Sequence, residues 1–271
     1  MPGGLKKHVK NLRENFRGAI EYKDLLAKWP ALKQKMPQGD GHPVLLIPGF
    51  TANDGTITPL CDALKEKGYN AHTWGRGRNL GLNDKTAKHL RERLEKLYKE
   101  NGNRKVTLIG HSLGGFYARE LAREFPDMVR DVITIGTPFG VGMDKKSVLP
   151  PVRALIEKLN GGKVSLKDPD MAQRLLTPPP VPATSIFSKS DLVAGWKVCL
   201  NPVAPEAENV EVKASHVGLI YSPDTFAVVL DRLAQPEGSW KPYSAASPET
   251  PPQNPNWKPG KSSGPDMFKK K

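Results

Sequence analysis

The sequence has no long hydrophobic run and little cysteine, and each absence argues against a class of protein. No apolar stretch approaches the roughly 18 to 20 residues that a membrane-spanning helix needs, which argues against an integral membrane protein. The basic residues near the N-terminus are not followed by an apolar segment, so they do not form a secretory signal. We therefore expect a cytoplasmic protein, with export after removal of a signal as the alternative.

The two cysteines, Cys61 and Cys199, lack the paired spacing of a zinc or redox site. We expect two buried free thiols; a single disulfide, typical of an exported protein, is the alternative. The glycine clusters lack the flanking strand and helix that a phosphate-binding loop needs. The sequence therefore predicts no metal, no nucleotide and no other cofactor.

The net charge of +13 is concentrated at the two ends of the chain. Residues 1–40 contain nine Lys and Arg against four Asp and Glu, and residues 236–271 contain six Lys against three acidic residues. Basic termini keep a protein in solution, or they bind an anionic membrane or polymer surface. No nucleic-acid-binding motif accompanies the charge, so we expect no specific nucleic acid partner. The sequence does not indicate an oligomeric state.

Hydrophobic periodicity predicts an N-terminal helical extension over residues 1–40 and an α/β domain over residues 41–235. The pattern predicts one or two short amphipathic helices in the extension, and we expect their apolar stripes to pack on the domain. These stripes consist of Leu12, Phe16 and Ile20, and of Leu25, Leu26 and Trp29. In the domain, apolar runs alternate with amphipathic segments, which predicts a mostly parallel central sheet flanked by helices. The predicted strands are Pro43–Ile47, Tyr69–Trp74, Lys105–Ile109, Val132–Ile135, Ala183–Phe187 and Asn209–Val212.

Two segments depart from this alternation. About forty residues, roughly 141–182, separate two predicted strands, and an insertion of this size predicts a small cap or lid with helices near 152–159 and 168–176. Residues 236–271 are rich in Pro, Ser, Lys and Gly and contain almost no aliphatic residues. A segment of this composition buries too little apolar surface to fold, so we predict a disordered tail.

The segment Gly110-His111-Ser112-Leu113-Gly114 carries the strongest chemical signal in the chain. It directly follows a predicted buried strand and opens a predicted helix, which is the strand–turn–helix context of a nucleophile elbow. Glycines on both sides relieve the crowding of so sharp a turn. The helix N-terminus offers N–H groups and a positive dipole end to a developing oxyanion. We therefore predict Ser112 as a nucleophile.

A serine nucleophile needs a base within hydrogen-bond reach and a carboxylate that orients this base. His216 lies on the loop after the last predicted strand and is the candidate base, with a structural loop histidine as the alternative. Asp191 follows the preceding strand and is the candidate acid, with a turn-capping aspartate as the alternative. The alternatives to Asp191 as the acid are Glu206 and Glu208, which lie on a later loop.

An acyl-transfer site also needs two backbone N–H donors for the oxyanion. Leu113, the residue after the nucleophile, supplies one of them in our prediction. The second lies in the loop after the first strand, at Phe50, with Thr51 as the competitor. We assign a substrate pocket to apolar residues that adjoin these elements: Phe139, Trp196 and Val217.

Three segments make the chain resemble bacterial lipases and esterases of the α/β-hydrolase superfamily: Pro43–Phe50, Gly110–Gly115 and Ile135–Pro138. The resemblance covers roughly residues 43 to 234. It departs from the usual pattern at Pro48, where many lipases have His, and at Phe139, where His is usual. Trp74–Gly81 is also similar to bacterial members, with no chemistry assigned.

The candidate catalytic residues and the resemblance imply a carboxylic-ester hydrolase that acts through an acyl-enzyme. The apolar residues that adjoin the site indicate a substrate with an apolar acyl group. Three activities could use the same residues instead, namely those of an acyltransferase, a thioesterase or an amidase. A non-catalytic scaffold that binds a membrane or polymer is the alternative from another class.

Overall fold

The computed structural model describes residues 3–139, 174 and 177–244. Its strands are β1 (Pro43–Ile47), β2 (Asn70–Thr73), β3 (Val106–His111), β4 (Val129–Ile135), β5 (Ala183–Phe187) and β6 (Ala207–Glu211). They form one sheet in the order β2-β1-β3-β4-β5-β6, and all neighbouring strands run parallel. The predicted α/β class with a mostly parallel sheet is confirmed.

Helices flank this sheet, as parallel pairing requires of its crossover connections. Within the described ranges they are α1 (Gly3–Lys35), α2 (Asp54–Glu66), α3 (Asp84–Glu100), α4 (Leu113–Glu124) and α5 (Pro223–Leu233). Two short 3₁₀ helices span Trp196–Cys199 and Gly218–Ile220. None of the described helices is long and apolar enough to cross a membrane.

Strand β1 shows how the sheet separates two apolar layers. All five of its residues are buried. Leu45 and Ile47 join a cluster on one face, while Val44 and Leu46 join a cluster on the other. Successive strand residues point to opposite faces, so a continuous apolar run is what a strand covered on both sides needs. Cys61 and Cys199 are buried and free, which confirms the expected thiols.

Helix α1 corrects the prediction of one or two short helices and part of the predicted packing: Leu25 and Trp29 of the second stripe pack on the domain, as expected, but Phe16 and Ile20 of the first do not. It is a single helix of 33 residues. Phe16 is 69% exposed and Ile20 is 52% exposed, whereas Glu14, Gly18 and Leu25 on the opposite side are buried. The helical period was predicted correctly, but the packed side is partly polar because its carboxylates have bonding partners on the domain.

Most of the predicted cap lies outside the described residues, including the helices expected near 152–159 and 168–176, and so do residues 245–271 of the predicted tail. Residues 236–244 are described and contact the domain. Tyr243 N donates to Glu208 Oε2 at 2.7 Å, and Arg232 Nη1 donates to Lys241 O at 2.5 Å. We therefore restrict the prediction of a disordered tail to residues 245–271.

Candidate active site

Ser112 occupies a sharp turn between β3 and α4. Its φ of 50° and ψ of −120° lie in a region that residues with a side chain rarely adopt. The neighbouring backbones are packed so closely that a Cβ at Gly110 would overlap Gly115, and one at Gly114 would overlap Ile47 O. Steric crowding therefore explains the glycines of the Gly-x-Ser-x-Gly pattern.

The structure brings His216 and Asp191 to this turn. His216 Nε2 lies 3.1 Å from Ser112 Oγ, although the two residues are 104 positions apart in the chain. His216 Nδ1 lies 2.6 Å from Asp191 Oδ2. Asp191 follows β5 and His216 follows β6, and the carboxyl ends of parallel strands meet at one edge of a sheet. The arrangement matches the geometry of a nucleophile, a base and an orienting carboxylate.

The Asp191 carboxylate is fixed by its own loop. Its Oδ1 accepts hydrogen bonds from Val193 N at 2.7 Å and from Ala194 N at 2.8 Å. These two bonds use one oxygen and leave Oδ2 facing the His216 ring. The carboxylate thus caps its turn and bonds the histidine at the same time.

His111, the residue before the candidate nucleophile, contacts the backbone of the loop that carries His216. Its Nε2 lies 3.0 Å from His216 O. Burial lowers the pKa of His111 from 6.5 to about 4. The ring is therefore neutral at pH 7, donates its Nε2–H to that carbonyl, and adds no second positive charge beside His216.

The loop after β1 lies against Ser112, since a Cβ at Gly49 would stand 3.1 Å from Ser112 Cβ. Thr51 N donates to Asn79 O at 2.7 Å, which weighs against Thr51 as an oxyanion donor. Leu113 is the first residue of α4, and the first N–H groups of a helix have no partner within it. Phe50 and Leu113 remain the predicted donors.

Asn79 is a residue of this site that the sequence analysis missed. It is fully buried, and its Nδ2 donates to Pro48 O at 2.8 Å. Its backbone N donates to Ala52 O at 2.8 Å, while its carbonyl accepts from Thr51. Asn79 therefore holds both ends of the loop that contains Phe50. This gives a structural role to the segment Trp74–Gly81.

Replacing Asn79 by Ala should lower kcat by about 10²-fold, the effect of misplacing a catalytic group by about 1 Å. The side chain holds Pro48, so its loss frees the loop with Phe50, while the backbone bonds to Thr51 and Ala52 persist. Steady-state kinetics on a soluble ester measure the effect. Leu80→Ala, which removes an exposed neighbour, is the control. Wild-type kcat in the Asn79→Ala enzyme would contradict this role.

The three predicted substrate-binding residues occupy defined places in the structure. Phe139 is buried, and the Arg119 guanidinium lies 3.7 Å from its ring centroid. Trp196 stacks on Phe187 at 5.9 Å between ring centroids. Val217 lies against helix α1, since a Cβ at Gly18 would stand 2.7 Å from Val217 Cγ1. These contacts do not test substrate binding, so the three assignments stay predictions.

Helix α1 also contacts the two candidate catalytic loops. Glu14 and Glu21 accept hydrogen bonds from the backbone of the His216 loop, and Arg17 donates one to the Asp191 loop. None of these three residues was predicted from the sequence. Their signal was the spacing of Glu14, Gly18 and Glu21, four and three residues apart, which puts two acidic residues on one side of a basic helix.

The chain is similar to one protein family and to several solved structures. Residues 42–151 match the family model described as alpha/beta hydrolase fold. One similar solved structure comes from work on the metagenome-derived lipolytic enzymes LipS and LipT. It is 18% identical to this chain, with a TM-score of 0.53, and the match covers 73% of this chain and 93% of the solved one. Another is the mature lipase BlEst2 of Bacillus licheniformis, with 16% identity and a TM-score of 0.51 over 73% of this chain and 94% of that one. At these identities the likeness shows the fold.

A curated relative matches over a shorter range. The uncharacterized protein YJR098C of Saccharomyces cerevisiae is 32% identical over 85 residues, which are 31% of this chain. The matched part spans 12% of the yeast protein.

Proposed function

Because the chain has the α/β-hydrolase fold, we propose that it is a serine hydrolase that cleaves carboxylic esters through an acyl-enzyme. The observation that carries this proposal is the unbroken series of contacts from Ser112 Oγ through His216 to Asp191, at 3.1 and 2.6 Å. A hydroxyl, an imidazole and a carboxylate in this order form a set that activates a serine at neutral pH.

In the acylation step, Ser112 Oγ attacks the ester carbonyl while His216 Nε2 takes the hydroxyl proton. Asp191 keeps the other ring proton on Nδ1 and stabilises the imidazolium that forms. The N–H groups of Phe50 and Leu113 stabilise the oxyanion. His216 then gives its proton to the leaving alcohol, which departs as the C–O bond breaks.

In the deacylation step, a water molecule replaces the alcohol. His216 takes a proton from this water as its oxygen attacks the acyl carbonyl, and then returns the proton to Ser112 Oγ. The carboxylic acid leaves and the free enzyme is restored. An alcohol or amine acceptor in place of water would make the same site an acyltransferase.

The proposed substrate is an ester with an apolar acyl group. A panel of p-nitrophenyl esters with increasing acyl length measures this preference, and a fluorophosphonate probe followed by peptide mapping identifies the nucleophile. We expect turnover and a label on Ser112. A protein that neither hydrolyses any ester of the panel nor reacts with the probe would contradict the proposal.

We also propose a cytoplasmic location, because both thiols are free.

We further propose that this substrate lies at an anionic lipid surface which helix α1 contacts. Phe16 and Ile20 lie one turn apart and are exposed. Arg13 and Lys23 are exposed on the same side of the helix. Arg13 lies three residues before Phe16, and Lys23 lies three residues after Ile20. Apolar side chains flanked by basic ones are typical of helices that lie in a membrane interface. The net charge of +13 adds an attraction to anionic lipid.

Replacing Phe16 and Ile20 together by Ser should slow hydrolysis of an ester in phosphatidylglycerol–phosphatidylcholine vesicles by about tenfold, the effect of losing about 1.4 kcal/mol of apolar burial. Hydrolysis of soluble p-nitrophenyl acetate should not change. Added salt should likewise slow only the vesicle reaction, because it screens exposed charges. Val203→Ser removes an exposed apolar side chain outside α1 and is the control. Equal vesicle rates for the double variant and the wild type would overturn this proposal.

A further inference from the structure

Helix α1 binds the backbone of the loop that carries His216. Glu14 Oε2 accepts a hydrogen bond from His216 N at 2.6 Å, and Glu21 Oε1 accepts one from Ser215 N at 2.7 Å. The Ser215 hydroxyl donates a further bond to Glu21. Two consecutive backbone groups of this loop are thus fixed by carboxylates from one helix.

The same helix binds the loop that carries Asp191. Arg17 Nη1 donates to Ser190 O at 3.0 Å, and Ser190 immediately precedes Asp191. Arg17 Nη1 also lies 3.4 Å from Glu14 Oε1. With 3.6 residues per turn, positions 14, 17 and 21 share one side of the helix. This side therefore joins the two loops whose separation sets the Asp191–His216 distance.

Glycines allow the helix and the loop to approach this closely. A Cβ at Gly18 would lie 2.7 Å from Val217 Cγ1, and a Cβ at Gly218 would overlap the Glu21 carboxylate. Larger residues at either position would separate the helix from the loop and lengthen the carboxylate bonds.

We propose that Glu14 and Glu21 are positioning residues that hold His216 within reach of both Ser112 and Asp191, an inference that rests on the proposed function. Only two side-chain torsions separate the imidazole from its backbone, so a shift of the backbone moves both ring nitrogens. Glu14 is 1% exposed. A buried carboxylate is costly unless it is bonded, and its bonds here go to His216 N and Arg17.

The test compares Glu14→Ala, Glu14→Gln and Asp24→Ala in the full-length chain with p-nitrophenyl acetate. Glu14→Ala should lower kcat by about 10²-fold with KM unchanged, because the ring is displaced and the substrate contacts are not. Glu14→Gln keeps an acceptor oxygen for His216 N, so kcat should return to within a few-fold of wild type. Asp24 bonds Lys28 near the surface, and its replacement should have no effect.

A proton NMR spectrum provides a readout that would not change if Glu14 only stabilised the fold. The His216 Nδ1 proton bonded to Asp191 should give a far-downfield resonance in the wild type and in Asp24→Ala. In Glu14→Ala we expect this resonance to shift or disappear while thermal unfolding stays cooperative. Glu21→Ala, in which the His216 N bond to Glu14 remains, provides the same comparison if Glu14→Ala does not fold.

Wild-type kcat and an unchanged resonance in folded Glu14→Ala or Glu21→Ala would overturn the inference, as would a Glu14→Gln enzyme as slow as Glu14→Ala. Failure of the proposed function is a different result. The wild type itself would then leave both the ester and the fluorophosphonate probe unreacted.

Discussion

Ser112→Ala should lower kcat for ester hydrolysis by about 10⁶-fold, the loss seen when the nucleophile of a serine triad is removed. The variant should also fail to react with a fluorophosphonate. Its fold should be retained, because Ser112 precedes α4 without making a side-chain capping bond. Rate measurements combined with thermal unfolding check both expectations.

Ser222→Ala is a matched control for this variant. Ser222 also precedes a helix, α5, without a side-chain capping bond, and lies outside the candidate site. We expect wild-type turnover and labelling from the control. A near-wild-type rate in Ser112→Ala would contradict the whole mechanism.

Asp191→Asn should lower kcat by about 10⁴-fold, as in a known triad. The amide oxygen of the new side chain is expected to take over the bonds from Val193 N and Ala194 N, because only an oxygen accepts them. The NH₂ group then faces His216 Nδ1 and forces the ring proton onto Nε2. A histidine in that tautomer donates to Ser112 Oγ and cannot accept its proton.

Gln substitutions at the two alternative acids serve as controls for Asp191→Asn. Glu206 is exposed, and Glu208 Oε1 already accepts from Thr184 Oγ1 at 2.7 Å and from Arg232 Nη1 at 3.0 Å. Both Glu→Gln variants should keep wild-type kcat. A mild effect of Asp191→Asn with a large loss in either control would transfer the acid role to that residue.

The sheet was predictable from the sequence because its signals are local. A run such as Pro43–Ile47 is apolar at every position, and burial on both faces requires this of a central parallel strand. The turn at Ser112 was equally clear, since the spacing of Gly110 and Gly114 reflects steric crowding within a few residues. The positions of Asp191 and His216 then followed from parallel topology.

The contacts of α1 and Asn79 could not be predicted in this way. Periodicity locates the apolar side of a helix, but Glu14 and Glu21 are packed because a loop about 200 residues later presents backbone N–H groups to them. Asn79 likewise depends on the carbonyl of Pro48, 31 residues earlier. Spacing within a single sequence puts Glu14 and Glu21 on one side of the helix, but it does not show which distant groups they bond.

The bond between Glu14 and His216 has a consequence for how the chain is synthesised. It spans 202 residues, so α1 is translated well before the loop to which it bonds. Closing so long a loop costs entropy that only the assembled sheet can offset. We therefore expect α1 to dock after the sheet has formed, and the loop that carries His216 to acquire its final form at that step.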